Sequence, residues 1–345
     1  MSGPATELSV EIAGLRCPSC RSALAMKGEE LRCGGCAHQF PVIARIPDLR
    51  LAYPDPYLSM AEDLARAREL EARSHQLDFV GLLREHWRQS GKPPELVERF
   101  VAGDLAALGR SQAYVEAIER RRGARLGSAD HFLEIGCGSA ALAAAASMRG
   151  ARVVAGDASM RWLVLAQKRL VEAGEERVGL ACFVAERPPF APGSFDIVAA
   201  SDVVEHVSSQ EDFAESCREL LRPGGLVFLA TPNRFSLGLE PHVRLWDVGF
   251  LPRGLARRYV RAIRRAPYDH VRLLSARALR RLLHRHGFSA EVVTPEIPPA
   301  TQEMYSGAEL QVVRAYNRLR HLRPVRRALL WVGPFFHVFA RKGAS

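Results

Sequence analysis

A glycine turn directly after a short apolar run is the feature that most restricts how this chain folds. The run 131–135 has the length and composition of a buried strand, and it leads into Gly136-Cys137-Gly138. Glycines at the carboxyl end of a strand let the backbone approach a ligand closely. An alanine-rich helical stretch follows, so the segment predicts a strand–loop–helix unit with a ligand beside its glycines.

The same alternation of apolar strands and helical stretches continues through the carboxyl-terminal part of the chain. It predicts an α/β fold with a parallel sheet covered by helices on both faces. We expect seven strands, at about 131–135, 151–155, 180–185, 195–201, 226–230, 288–293 and 335–341. The insert after the fifth strand, about 233–274, is long for a compact α/β domain and predicts a substrate lid.

Two acidic residues indicate which ligand the glycine turn binds. On glycines alone, Gly136 to Ala141 also fits the G-x-G-x-x-A pattern of dinucleotide-binding proteins. Glu134, two residues before the first glycine, would repel a pyrophosphate and attract the amino group and sulfonium of S-adenosylmethionine. Asp157 lies 23 residues beyond Glu134, after the second strand, where a carboxylate accepts hydrogen bonds from ribose hydroxyls. The combination favours S-adenosylmethionine over NAD.

This arrangement resembles the class I S-adenosylmethionine-dependent methyltransferases over roughly residues 127–342. Further matches are Gly193-Ser-Phe-Asp-Ile-Val198, Ser201-Asp-Val-Val-Glu-His206 and Leu221-Arg-Pro-Gly-Gly225. The resemblance implies a Rossmann-like seven-stranded methyltransferase sheet. The implied cofactor-binding residues are Glu134, Gly136, Gly138, Asp157, Ala158, Met160, Ala185 and Ser201. The family often has an aspartate where this chain has Val184, so adenine recognition is left to the backbone at Ala185 or to another side chain.

The residues after the fourth strand bear on the methyl acceptor. Ser201-Asp202 differs from the Asn/Asp-Pro-Pro-Tyr used on exocyclic amines, which argues against bases and glutamine as acceptors. His206 and His242 are the candidate general bases for a hydroxyl nucleophile. The alternative for His206 is a packed histidine at the start of a helix, and the alternative for His242 is an ordinary loop histidine. The motifs resemble quinone-biosynthesis and natural-product O-methyltransferases, which implies O-methylation of a small or carrier-linked molecule in a biosynthetic pathway.

Two other functions stay open. Ribosomal-RNA guanine methyltransferases also pair an amino-terminal zinc ribbon with this catalytic fold, although aromatic residues do not interleave with the arginines of this chain as in a base-stacking platform. A non-catalytic scaffold that recruits a partner is the third possibility. The intact Glu134, Gly136, Gly138 and Asp157 argue against a vestigial cofactor site.

Four cysteines near the amino terminus predict a structural zinc site. Cys17-Pro-Ser-Cys20 and Cys33-Gly-Gly-Cys36 are separated by 12 residues, and each pair presents two thiolates from a tight turn. Four sulfurs complete the tetrahedral coordination of Zn²⁺ and leave no open position for catalysis. Two disulfides or a redox Cys-x-x-Cys are the alternatives. The segment resembles the zinc ribbon of small methyltransferase-partner proteins, in which the ribbon binds a methyltransferase or is fused to one.

The chain is expected to have three parts. Residues 1–50 form the zinc ribbon, 51–126 form a helical linker and cap, and 127–345 form the methyltransferase domain. Residues 51–56 read as a linker because of their two prolines, and 57–122 read as helical, with two pieces after Gly91–Pro94. We expect this region to close over the substrate, with Tyr114 or Trp87 lining the pocket unless both are core residues.

Charge and composition bear on partners and compartment. The formal net charge is +10, and 253–285 holds eleven arginines against one acid, Asp269. This pattern is either a solvated face or a site for phosphate groups, an anionic membrane surface or, less well supported, RNA. The first seven residues lack a secretory pattern, no apolar run reaches 18 residues, and the remaining cysteines are isolated. We therefore expect a cytoplasmic protein.

Overall fold

The amino-terminal strands form a small antiparallel sheet of their own. The computed structural model describes residue 12, residues 14–53, residue 55 and residues 57–343. Within it β1 (Leu24–Lys27), β2 (Glu30–Cys33), β3 (Gln39–Ile43) and β4 (Ile46–Pro47) pair in that order. The predicted absence of a secretory signal falls on residues outside the described part of the chain, and so do Pro54 and Pro56 of the predicted linker.

Three helices follow the ribbon. They are α1 (Met60–Ser74), α2 (Phe79–Arg88) and α3 (Pro94–Arg122). Ser59 and Glu62 form a capping box that begins α1, and Gly123 ends α3 in the left-handed conformation. The prediction of two helical pieces after Pro94 was wrong, because α3 is continuous. Its internal Gly109 gives room to a neighbouring segment, since a Cβ there would lie 2.6 Å from the Cβ of Ala300.

A seven-stranded sheet carries the rest of the fold. Its strands are β5 (His131–Ile135), β6 (Arg152–Asp157), β7 (Gly179–Cys182), β8 (Phe195–Ser201), β9 (Leu221–Pro232), β10 (Phe288–Val293) and β11 (Phe335–Lys342). They lie in the order β10-β11-β9-β8-β5-β6-β7. After β5, the strands β6 and β7 are added on one side of it. The chain then crosses over, and β8 and β9 are added on the other side of β5. A crevice opens where the strand order reverses, at the carboxyl ends of β5 and β8.

One strand departs from the predicted parallel sheet. β11 inserts between β9 and β10 and runs antiparallel to both. Between β10 and β11 lie α9 (Pro299–Gln302), α10 (Gly307–Leu319) and α11 (Arg323–Val332), which the sequence did not predict. β10 ends at the carboxyl edge of the sheet, and β11 starts from that same edge. A strand that begins where its predecessor ended must run back in the opposite direction.

The two faces of the sheet are covered by different elements. α4 (Ala141–Ser147) and α5 (Met160–Glu172) share one apolar core with α1, α2 and α3. α6 (Gln210–Leu220) and α8 (Ala276–Arg285) share the other core with the ribbon. Neighbouring strand residues alternate between the cores, as Phe132 and Leu133 show. This burial on both faces confirms the predicted α/β architecture with a ribbon and a helical cap.

The predicted insert contains one further helix, α7 (Arg253–Arg264), preceded by a 3-10 turn at Val248–Phe250. The domain boundaries expected from the sequence stay predictions. The ribbon and the helices α1, α2 and α3 all pack directly on the large sheet. Across the described residues, none of the helices combines the length and apolar character that crossing a bilayer requires.

Candidate active site

The glycine turn lies in the crevice at the end of β5. Gly136 has a φ of +70°, and a Cβ there would lie 2.3 Å from Cγ2 of Val203. The backbone N–H groups of Gly136 and Cys137 donate to the carbonyl of Gly156 at 2.8 and 3.0 Å. Gly138 also has a positive φ, +50°, with open space where a Cβ would point. Both conformations favour glycine, so the backbone turns sharply and leaves a cradle beside it.

Of the two predicted carboxylates, Glu134 is buried and Asp157 is half-buried, and both are fixed by backbone donors. Glu134 is 3% exposed and accepts a hydrogen bond from the N–H of Ala143 at 2.7 Å. Burial raises the pKa of Glu134 to about 8. Asp157 accepts from the N–H groups of Gly138 and Ser159, both at 2.9 Å, and burial raises its pKa as well. Carboxylates desolvated in this way favour a cationic or hydrogen-bonding ligand that restores their charged form.

A cavity of about 540 Å³ opens beside the turn and Asp157, whereas Glu134 lines a neighbouring cavity. Besides the turn and Asp157, its walls include Tyr53, Asp55, Tyr57, Ala158, Trp162, Phe183, Ala185, Glu186, His206, His242 and His270. This volume is typical of a small-molecule site. The carboxylate of Asp157 for a ribose, together with the aromatic walls, fits the nucleoside part of S-adenosylmethionine.

The other predicted cofactor residues differ in where the structure places them. Ala158 and Ala185 line this cavity, and Ser201 lines the neighbouring one. Met160 lines neither cavity. Its side chain is fully buried in the core, and its N–H donates to Asp63 at 2.9 Å. The predicted contact of Met160 with the adenine is therefore corrected to a packing position at the start of α5.

Val184 occupies the place where the resemblance implied an aspartate for the adenine amino group. Its neighbours Phe183 and Glu186 line the cavity instead. Glu186 accepts a hydrogen bond from the N–H of Ser208 at 2.5 Å. The acidic side chain closest in sequence to the missing aspartate is thus Glu186, two residues after Val184.

A second cavity of about 710 Å³ joins the first and lies under α3. Gly136, Gly138, Trp162, Asp202 and His206 line both. The remaining walls include Trp87, Arg99, Phe100, Asp104, Arg110, Tyr114, Glu134, Ser139, Ser201 and Met304. Both aromatic residues singled out from the sequence, Trp87 and Tyr114, therefore reach this cavity. Its position beside the cradle makes it the candidate acceptor cavity.

His206 and His242 meet at the junction of the two cavities. Their Nε2 atoms lie 3.0 Å apart, and Nδ1 of His242 lies 2.5 Å from Oε1 of Glu240. Burial and the neighbouring His242 and His270 lower the pKa of His206 to about 4. Burial also disfavours a charged His242, but the hydrogen bond that His242 donates to Glu240 outweighs it and raises the pKa of His242. Both histidines lie in turns, where the structure brings their rings into contact, and they differ in basicity.

Several residues around this pair were missed by the sequence reasoning. Glu240 stands two residues before His242, a spacing that could have indicated the pair. His270 stacks on His206 and lies 3.0 Å, Nε2 to hydroxyl oxygen, from Tyr57, a contact that only tertiary structure reveals. Buried Glu205 also lies here, with one carboxyl oxygen lacking a partner among the described residues.

The same cluster offers a set of metal ligands. One ligand atom each of Glu205, His206 and His242 lies within 4.8 Å of the others. A carboxylate and two imidazoles are donors that a divalent transition metal accepts. The cluster can therefore act as a proton relay or hold a cation beside the acceptor.

The four amino-terminal cysteines converge as predicted. Their sulfur atoms all lie within 4.8 Å of one another, with Cys17 to Cys36 at 3.6 Å and Cys20 to Cys33 at 3.4 Å. Zinc–sulfur bonds of about 2.3 Å in a tetrahedron place sulfurs at about this separation. The N–H groups of Gly35 and Cys36 donate to Sγ of Cys33. The cluster fits the predicted structural zinc, and none of its cysteines forms a disulfide.

The ribbon is fastened to the loop that lines the cofactor cavity. The N–H of Arg16 donates to the carbonyl of Pro189 at 2.8 Å, and Nη1 of Arg21 donates to that of Pro188 at 2.6 Å. At the other end of the ribbon, the N–H of Leu49 donates to the carbonyl of Cys182 at 2.8 Å. The ribbon therefore extends the sheet edge at β7 and braces the segment that carries Ala185.

A buried ion-pair network joins ribbon, cap and cofactor loop. Arg50 pairs with Asp48 at 2.6 Å and with Asp63 of α1 at 2.8 Å, and it donates to the carbonyl of Ala158 at 2.9 Å. Asp63 also accepts from Arg161 at 2.7 Å. The opposing arginines hold the pKa of Asp63 below its usual value despite burial. A charge buried this way depends on its partners, so three segments are coupled at the ribose end of the cavity.

Comparison with known proteins assigns the chain to a family. Residues 133–229 match the model of a methyltransferase domain. A ubiquinone biosynthesis O-methyltransferase of Chelativorans sp. is 32% identical over 201 residues, covering 53% of this chain and 75% of the relative. The namesake from Mesorhizobium japonicum is 33% identical, covering 51% and 70%. Against that of Parvibaculum lavamentivorans, at 37% identity, the match covers 36% of this chain and 49% of the relative.

Solved structures are more distant. Phosphoethanolamine N-methyltransferase 2 of Haemonchus contortus, in complex with S-adenosyl-L-methionine, is 20% identical with a TM-score of 0.44, covering 67% of this chain and 52% of that one. With TM-scores in this range, such likenesses take no part in the assignment. The family assignment rests on the sequence relatives. The chain belongs to the class I S-adenosylmethionine-dependent methyltransferases and is an O-methyltransferase of a biosynthetic pathway.

Proposed function

We propose that this enzyme methylates a hydroxyl group of a small aromatic acceptor, with His206 as general base. The observation that carries the proposal is the 3.0 Å contact between His206 and His242 at the junction of the two cavities. When bound, S-adenosylmethionine supplies an electrophilic methyl group on a sulfonium. The chain's own contribution is to orient the acceptor and to remove its proton.

The hydrogen bonds of His206 and His242 define the path along which the proton of the acceptor moves. Glu240 accepts from Nδ1–H of His242, so Nε2 of a neutral His242 is an acceptor. Nε2–H of His206 then donates to it, which leaves Nδ1 of His206 free to take the proton of the acceptor. His242 has the higher pKa of the two histidines, so the proton of His206 moves on toward His242. The carboxylate of Glu240 stabilises the resulting imidazolium.

The acceptor class follows from the second cavity and from the relatives. Its walls combine the aromatic side chains of Trp87, Phe100 and Tyr114 with the guanidinium groups of Arg99 and Arg110. A hydroxylated aromatic ring suits such a surface by stacking and by hydrogen bonding. The names of the relatives refer to O-methylation in ubiquinone biosynthesis. We infer a phenolic acceptor, small or attached to a longer carrier.

The test is a turnover assay with purified enzyme, S-adenosylmethionine and a panel of catechols and hydroquinones, scored by S-adenosylhomocysteine formed. We expect turnover of at least one ring hydroxyl, and a rate about a hundredfold lower in His206→Asn. His284→Asn, a change at an exposed histidine of α8, is the matched control and keeps full rate. Unchanged turnover in His206→Asn overturns the general-base role.

The assay also separates the alternatives. Turnover abolished by a chelator and restored by a divalent cation, while metal analysis shows that the ribbon keeps its zinc, assigns the cluster of Glu205, His206 and His242 to metal binding. Methylation of RNA without methylation of any phenol favours the RNA methyltransferase, and salt-sensitive RNA binding would accompany it. Binding of the cofactor without methylation of any acceptor favours the non-catalytic scaffold.

The arginine-rich segment supports a further part of the proposal. α7 buries only Ala256 and Val260, and it exposes Leu255 and Ile263 among its arginines. Exposed apolar side chains flanked by arginines suit an anionic membrane surface, where a carrier-linked acceptor would reside. Vesicles containing anionic lipid should bind the enzyme at low salt, and neutral vesicles should not.

The free thiolates that the ribbon needs suit a reducing cytoplasm.

A further inference from the structure

The outer face of α10 carries a row of apolar side chains that the described part of the chain leaves uncovered. The helix buries only Val313. Ala308, Val312, Ala315 and Leu319 are exposed instead, Val312 by 69% and Leu319 by 43%. Single exposed apolar residues are ordinary on protein surfaces, whereas a contiguous row of them marks an interaction surface.

The spacing of this row is that of a seam between two helices. The four residues recur at i, i+4, i+7 and i+11, which is the alternation of four and three residues found in coiled coils. With 3.6 residues per turn they span a strip roughly 60° wide. That strip is narrower than the apolar face of roughly 100° with which a helix packs on a protein core, and its width suits a single partner helix.

The order of residues along the strip suits a second copy of the same helix. In an antiparallel pair related by a two-fold axis, Leu319 faces the partner's Ala308 and Val312 faces the partner's Ala315. Each large side chain then lies against a small one, and this alternation lets the two helices interdigitate.

The charges around α10 favour the antiparallel arrangement. Residues 320–332, which follow the helix, contain four arginines and no acid. A parallel pair would bring these two basic segments together, whereas an antiparallel pair keeps them at opposite ends of a helix about 20 Å long. At the edge of the antiparallel seam, exposed Arg318 lies opposite the partner's Gln311, whose amide oxygen can accept a hydrogen bond from a guanidinium.

We propose that two copies of this enzyme associate through an antiparallel pair of α10 helices. Tyr305 and Leu322, both exposed, flank the helix at equal distances from the middle of the strip and extend the contact at its two ends. The proposal does not depend on which molecule is methylated. Met304, which lines the candidate acceptor cavity, directly precedes Tyr305, so the dimer contact adjoins that wall.

The first experiment measures the oligomeric state of the full-length enzyme by sedimentation equilibrium. The seam is short, so we expect a reversible dimer at concentrations up to about 100 μM. Val312→Glu and Leu319→Glu should each weaken the association by about tenfold or more, because each places a carboxylate in an apolar seam. Leu105→Glu makes the same kind of change at an exposed leucine of α3 and should leave the dimer intact.

A second experiment tests the direction of the two helices by disulfide cross-linking. In the antiparallel pair, residue 308 of one copy faces residue 319 of the other, whereas the two copies of residue 308 lie about 16 Å apart along the axis. Mild oxidation should therefore cross-link the double variant Ala308→Cys/Leu319→Cys into a covalent dimer. Neither single variant nor the wild type should form this dimer.

Four results overturn the proposal. The first is a wild type that binds S-adenosylhomocysteine, and is therefore folded, yet stays monomeric at about 100 μM. The second is a dimer that both glutamate variants leave intact, which places the contact on another surface. The third is cross-linking of the single cysteine variants, which requires parallel helices. The fourth is a monomer whose binding to anionic vesicles is lost in Val312→Glu and Leu319→Glu, which assigns the strip to a membrane.

Discussion

The Nε2 atoms of His206 and His242 lie 3.0 Å apart, and the first histidine lines both the cofactor cavity and the acceptor cavity. In the proposed mechanism one ring touches the place of methyl transfer, and the other connects it to the buried carboxylate of Glu240. Basicity increases along this chain, from a lowered pKa at His206 to a raised one at His242. This gradient leads to a prediction about pH.

Activity should depend on the protonation of His242. An imidazole that is already protonated cannot take the proton of His206, so kcat should rise with pH through the raised pKa of His242. Glu240→Gln removes the carboxylate that raises this pKa, so the acid limb of the profile should shift to lower pH. The measurement is kcat against pH for both enzymes. A limb at the same pH in both would show that His242 does not set it.

Cofactor affinity should depend on the carboxylates of Glu134 and Asp157. Asp157→Asn and Glu134→Gln should each weaken S-adenosylhomocysteine binding by about tenfold or more, because each removes a charged hydrogen-bond acceptor. Titration calorimetry measures this, with Glu176→Gln, an exposed acid, as the control that keeps affinity. Wild-type affinity in both variants would mean that the cofactor lies elsewhere.

The buried pair between Arg50 and Asp63 should contribute strongly to stability. Asp63→Asn removes the carboxylate shared by Arg50 and Arg161, whose other charged partners are Asp48 and Asp55. Breaking such a buried pair costs about 3 kcal/mol in the free energy of unfolding. Urea denaturation measures the difference. Glu98→Gln, which breaks an exposed pair with Arg84, is the matched control and should change stability little. Equal effects of the two variants would contradict the coupling assigned to Asp63.

The lowered pKa of Asp63 predicts how the free energy of unfolding changes in acid. The folded-state pKa of Asp63 is below its usual value of 3.8, so its contribution is present above that value. The contribution is lost as pH falls below 3.8 through the folded-state pKa, because the folded protein must then take up the proton. The acid transition of Asp63→Asn should lack this component when unfolding is followed by circular dichroism.

Zinc removal should affect the cofactor site as well as the ribbon. We expect about one zinc per chain, and Cys17→Ser should lose it, because metal-binding energy is folding energy in so small a unit. Since Arg16 and Arg21 hold Pro188 and Pro189, the variant should also bind S-adenosylhomocysteine more weakly. Metal analysis and calorimetry measure both. Cys217→Ser, outside the cluster, should keep its zinc; a zinc-free wild type would refute the site.

The sequence indicated the sites whose chemistry is local. The zinc ligands are four cysteines in two short turns, and the cradle is a strand end with two glycines and a nearby acid, so residue type and spacing were enough. Ala158 and Met160 show the limit of that reasoning. They are two residues apart at the start of α5, and only the first reaches the cavity. Which side chain faces a ligand depends on the path of the backbone.

Residue type and spacing alone thus determined the α/β class, the ribbon, the cofactor chemistry and the two histidines worth testing. The tertiary structure decided that His206 and His242 meet, that Glu240 orients them, and that β11 runs against its neighbours. The physical reason is that strand and helix periodicity are properties of neighbouring residues, whereas these contacts join residues far apart in the chain, and their geometry is set by packing.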